Sequence, residues 1–94
     1  MCGIAGYSSS AQAYSAWLSS TLDSLNHRGP DHSGIFEDQI SCIGFAHTRL
    51  SIQDTSSAGH QPMISSDGRV VLIFNGESYN VNELRGKLLA QGYC

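Results

Sequence analysis

Apolar and polar residues alternate along this chain with a period that changes several times, and each change marks an element. Cys2 to Tyr7 reads as a short strand whose glycines, Gly3 and Gly6, allow another backbone or a ligand to approach closely. Ser8 to Gln12 is a polar connector. From Ala13 the spacing becomes helical. Tyr14, Trp17, Leu18, Leu22 and Leu25 recur at steps of three and four, which predicts an amphipathic helix ending before Arg28-Gly29-Pro30-Asp31. Two strands are expected next, around Gly34-Ile35-Phe36 and over Cys42 to His47, joined by the polar Glu37-Asp38-Gln39. A loop of Ser, Gly and Pro residues runs from Gln53 to Pro62.

Asp67-Gly68 has the composition of a tight hairpin turn, leading into Arg69 to Phe74, an almost wholly apolar run expected to be a strand buried on both faces. Asn80-Val81-Asn82-Glu83 has the pattern of a capping box, with Asn80 as N-cap and Glu83 three residues on. Val81, Leu84, Leu88 and Leu89 give the following helix an apolar stripe, and Gly92 is a natural stop. This order predicts a layered α+β fold. A strand such as 70–74 needs neighbours and cover on both faces, more than these elements supply, so the chain is expected to be a partial domain over residues 1–94.

The totals narrow the function. Ninety-four residues suit one small domain, 40% hydrophobic and 14% charged. A net charge of −3 gives no electrostatic reason to expect nucleic acid or an anionic membrane as partner. The apolar run Val70 to Phe74 is far short of the roughly 18 residues that cross a bilayer, and no secretory signal pattern opens the chain. The three cysteines, Cys2, Cys42 and Cys94, are odd in number and widely spaced, which points to a reducing, cytoplasmic setting rather than a disulfide framework. No metal site is expected, because His27, His32, His47 and His60 are read as loop positions and show no chelating spacing.

Three stretches carry candidate chemistry. Cys2 follows the initiator, and removal of Met1 would leave a free α-amine beside its thiol. A thiol is mostly protonated at neutral pH, whereas an α-amine titrates near neutrality and is placed to take its proton. One residue then supplies nucleophile and general base; the alternative is a small buried cysteine. Asn75-Gly76 follows the apolar strand, and a side-chain amide next to a backbone N–H can donate two hydrogen bonds to a developing oxyanion. An ordinary Asn-Gly turn is the alternative. Arg49, within Ala46-His47-Thr48-Arg49-Leu50-Ser51-Ile52, can clamp a carboxylate through two parallel hydrogen bonds or pair with Asp54 or Glu77.

Taken in order, these stretches resemble a known family. Met1-Cys2-Gly3-Ile4-Ala5-Gly6, His27-Arg28-Gly29-Pro30-Asp31 with Ser33-Gly34, and Arg49-Leu50-Ser51-Ile52 are followed by Gly59-His60-Gln61-Pro62-Met63. Asn75-Gly76-Glu77 with Tyr79-Asn80 and Glu83-Leu84-Arg85 complete the set. Together they are similar to the class II glutamine amidotransferase domain, and within it to the glutamine-hydrolysing asparagine synthetases. The resemblance runs from residue 1 to about residue 92.

It implies an N-terminal-nucleophile hydrolase fold, an αββα sandwich, and hydrolysis of glutamine to glutamate and ammonia. Cys2 would form a thioester with the side-chain carbonyl. Asn75 and Gly76 would make the oxyanion hole, Arg49 would hold the α-carboxylate, the backbone of Leu50, Ser51, Ile52 and Gln53 would line the pocket, and Glu77 would place the α-amino end. Arg28 to Asp31 would be a structural loop beside it. Ser78 stands where the family usually carries isoleucine, which implies looser packing behind the oxyanion loop. The family's aspartate for the substrate ammonium and its ATP-using synthetase domain would lie beyond residue 94. No cofactor is implied for this segment; ATP, Mg and aspartate would belong to the absent domain, and the complete protein would be a possible homodimer. The alternatives are a class II enzyme aminating a phosphoribosyl or sugar-phosphate acceptor, and an inactive fragment with a binding role only.

Overall fold

The computed structural model describes residues 2–51 and 56–93. Within them a three-stranded antiparallel sheet, ordered β1-β3-β2, is built from Gly3–Ser8 (β1), His32–Asp38 (β2) and Ile43–Arg49 (β3). Its register sets Gly3 against Thr48 and His32 against Arg49, so the start of β1, the end of β3 and the start of β2 converge at one end. The β2–β3 connection falls at 39–42 rather than at 37–39. Glu37 and Asp38 belong to the strand, and the Asp38 carboxylate accepts the backbone N–H groups of Ile40 and Ser41 at 3.0 and 3.2 Å, which folds the chain back.

Ser15–Leu25 forms helix α1 along one face of this sheet. Leu18 is fully buried there, as is Ala46 of β3. Burial of that leucine contributes about 2–3 kcal/mol. Tyr7 receives Tyr14 and Trp17 edge-on, with ring centres 5.4 and 6.1 Å away. Near the helix end the Thr48 hydroxyl donates to the Leu25 carbonyl at 3.1 Å.

Three expectations fail here. Only Val71–Leu72 (β5) of the 69–74 run is strand, paired with Met63–Ile64 (β4), and it is not buried: Val70, Leu72 and Phe74 are 63%, 51% and 46% exposed. Apolar composition made this segment resemble a sandwiched strand, but among the described residues no helix or second sheet covers it. Nor does the capping box form at Val81–Ala90 (α2). Asn80 sits at the N-cap without a side-chain cap bond, and Glu83 turns forward to Lys87 at 2.8 Å instead of back to Asn80. The stop is as expected: Gly92 adopts φ +90°, and Tyr93 and Gly92 donate to the carbonyls of Leu88 and Leu89. Thirdly, His32 lies on β2, not in a loop, whereas His47 lies on β3, as the strand expected over 42–47 has it.

Candidate active site

Strand pairing alone brings the ends of β1 and β3 together, and with them Cys2 and Leu50. The Leu50 backbone N–H donates to Cys2 Sγ at 3.4 Å, and the Leu50 carbonyl lies 3.9 Å from the same sulfur. Cys2 is half-buried and free, as is Cys42. Its position at the strand's start leaves the thiol at an edge rather than in the packed interior between α1 and the sheet.

Two side chains from the turn after α1 fix this corner. Arg28 Nε donates to the Cys2 carbonyl at 3.1 Å, and Asp31 Oδ2 accepts the Ser51 N–H at 2.8 Å. The backbone adds a bond from Asp31 N–H to the Arg49 carbonyl at 3.0 Å. The Arg28–Asp31 turn is thus the bracket that holds both sides of the Cys2–Leu50 contact. Glycine and proline mark such a turn in a sequence, but nothing in the spacing shows that Arg28 reaches the residue beside the initiator.

Arg49 ends β3 with 6% of its surface exposed. Nη1 donates to the Ser56 carbonyl at 2.6 Å, and the guanidinium lies directly over Gly59, where a Cβ would collide with it. Asp54, one of the two pairing partners considered for it, lies outside the described residues, as do Ile52 and Gln53 of the expected pocket lining.

Asn75, Gly76 and Glu77 are reached through a different anchor. The Phe74 N–H donates to Gln61 Oε1 at 2.5 Å, and the Phe74 backbone approaches the buried His47 ring. No hydrogen bond joins Asn75 or Gly76 to Cys2, Leu50 or Arg49 among the described residues. Gly76 has φ +155°, a conformation that disfavours any other residue. Ser78 is exposed, and its hydroxyl donates to Asn80 Oδ1 at 3.3 Å.

The histidines form a group that spacing did not reveal. His32 and His60 stack face to face, ring centres 3.5 Å apart and planes within 7°. His47 is fully buried with neither ring nitrogen hydrogen-bonded, and burial is the main reason its pKa falls below the ordinary histidine value. His32 is lowered too, by burial first and then by His60 and Arg49. Among the described residues no three His, Cys, Asp or Glu side chains converge as a metal site, and parallel imidazoles cannot direct lone pairs at one ion. No helix is long and apolar enough to cross a membrane among the described residues.

Comparison with known proteins identifies the family. The glutamine amidotransferase domain family matches residues 1–94. An asparagine synthetase (glutamine-hydrolysing) of Bacillus subtilis is 41% identical over 98 residues, covering 99% of this chain and 15% of that protein. Its counterpart in Brassica oleracea is 42% identical over 88 residues, covering 90% and 14%. An amidase of Gibberella zeae, chry2, is 37% identical over 71 residues, covering 76% and 11%. The chain therefore spans about one seventh of the length of the synthetases it matches. No solved structure matches it significantly. With its whole length matched by the family, the chain belongs to the glutamine amidotransferase domain family.

Proposed function

We propose that this chain is the nucleophile-bearing part of a domain that hydrolyses glutamine to glutamate and ammonia. The observation that carries the reading is the meeting of Cys2 Sγ with the Leu50 N–H at 3.4 Å, one residue from the nearly buried Arg49. A thiol beside a newly freed α-amine has its own base. The amine takes the proton from Sγ, Sγ bonds to the amide carbon, and the returned proton lets ammonia leave a γ-glutamyl thioester. Water then releases glutamate and restores the thiol.

Arg49 would hold the substrate α-carboxylate, with the backbone of Leu50, Ser51, Ile52 and Gln53 along the pocket and Glu77 at the α-amino end. Asn75 and Gly76 would donate to the oxyanion once the 74–77 segment faces the thiol. The full domain would be the αββα sandwich of the N-terminal-nucleophile hydrolases. Because the similar proteins include glutamine-hydrolysing asparagine synthetases, the ammonia is assigned to ATP- and Mg-dependent amidation of aspartate by the rest of a longer protein in the cytoplasm. Homodimerisation of that longer protein remains part of the proposal.

Cys2→Ala in the longer protein tests this. Glutamine-dependent synthesis should be abolished while ammonia-dependent synthesis persists; undiminished glutamine use would sink the reading.

A further inference from the structure

The sheet face opposite α1 carries His32, Gly34, His47 and Arg49, and residues 56–62 lie across its active-site end. Three contacts hold that segment. His60 stacks on His32, Arg49 Nη1 bonds the Ser56 carbonyl, and the Gln61 carbonyl sits so close to Gly34 that no Cβ fits there. The same segment therefore determines where the guanidinium of Arg49 points.

We propose that the His32–His60 stack positions Arg49, and that its protonation releases the 56–62 segment and disengages the carboxylate clamp. Neutral imidazoles stack well, whereas adding a proton places a cation against a ring already beside the Arg49 guanidinium. The surrounding ionisable groups reinforce this. From β3 come His47, which is buried and neutral, and cationic Arg49. Asp31 of the adjoining turn has its Oδ2 engaged by the Ser51 N–H, and the nearest ionisable group of the β1 end is the Cys2 thiol. α1 lies on the other face and contributes none. Burial, His60 and Arg49 all oppose a charge on His32, so that ring stays neutral to a pH below the ordinary histidine value.

This inference rests on the assignment of Arg49 to the glutamine carboxylate, and the test separates the two. It uses the longer protein and the double variant His32→Phe with His60→Phe, which keeps two stacking rings but neither can be protonated, with His32→Phe and His60→Tyr as a second such variant. In the wild type, KM for glutamine should stay level from about pH 7.5 to about pH 6.5 and rise about tenfold below it, as the competent fraction falls to a tenth. Both variants should match the wild type at the higher pH and show a flat KM below it, while all three share one kcat profile. Exchange of the Gly59 and His60 amide hydrogens, which donate to Ser56 and Ser57, reports the segment without substrate. Corrected for intrinsic rates, their protection should fall with pH in the wild type only. Protection independent of pH, or a variant KM profile identical to wild type, overturns the positioning role. Wild type that never turns over glutamine, yet loses protection at low pH, sinks the assignment of Arg49 to glutamine and leaves the release of the segment standing.

Discussion

Arg49, Gly59 and His47 show how far single residues determine this site. Gly59→Ala places a methyl group into the Arg49 guanidinium, so the clamp must shift. Displacement of a positioning group by about 1 Å costs up to about a hundredfold, and we expect KM for glutamine to rise by about ten- to a hundredfold in steady-state kinetics with kcat nearly kept. An unchanged KM would detach Arg49 from the substrate. His47 and His32 give a prediction for stability. Their folded-state values lie below the ordinary 6.5, so the folded chain binds fewer protons than the unfolded one in the window beneath it. Their contribution is fully present above 6.5 and is lost as pH falls from there through the lower folded-state values. Denaturation midpoints should therefore drop on acidification from about pH 7 to about pH 5.5, and less so in His47→Gln. Cys2, Arg49 and Asn75 could be singled out from residue type and order; strand pairing brings the first two to one corner, and no hydrogen bond joins Asn75 to it among the described residues. The His32–His60 pair was not, because only the pairing of β2 with β3 and the path of 56–62 unite residues so far apart in sequence.

Among the elements, α1 and the strands of the three-stranded sheet were readable because their periodicity is enforced by one contact, the helix on the sheet. Leu18 is the centre of that contact, and Leu18→Ala should lose about 2–5 kcal/mol in chemical denaturation. A loss below about 0.5 kcal/mol, the level of a surface substitution, would contradict the packing described. The 69–74 run was misread for the complementary reason: an apolar run signals what a strand would bury, and burial needs a partner that the sequence pattern does not name. The capping box failed through local competition, since Lys87 four residues after Glu83 offers a better-placed charge than the Asn80 N–H.

As a whole the chain is open. Its radius of gyration is 14.8 Å, against about 12 Å for a compact domain of this length. Neither α2 nor the β4–β5 hairpin packs on the α1–sheet unit among the described residues, and Leu84, Leu88 and Leu89 are 43%, 49% and 58% exposed. In the 94-residue chain, amide exchange should accordingly be slowest over 43–49 and fastest through α2; equal protection of both would show a single cooperative unit. What the α1–sheet unit does hold together is the strand pairing that sets the thiol against Leu50 and beside Arg49. The most direct test of that corner's chemistry is to quench the longer protein during glutamine turnover and weigh the peptide beginning at Cys2. We predict a peptide lacking Met1 and carrying one γ-glutamyl group on its sulfur. A working enzyme with Met1 retained, or with the glutamyl group on any other residue, would contradict the account.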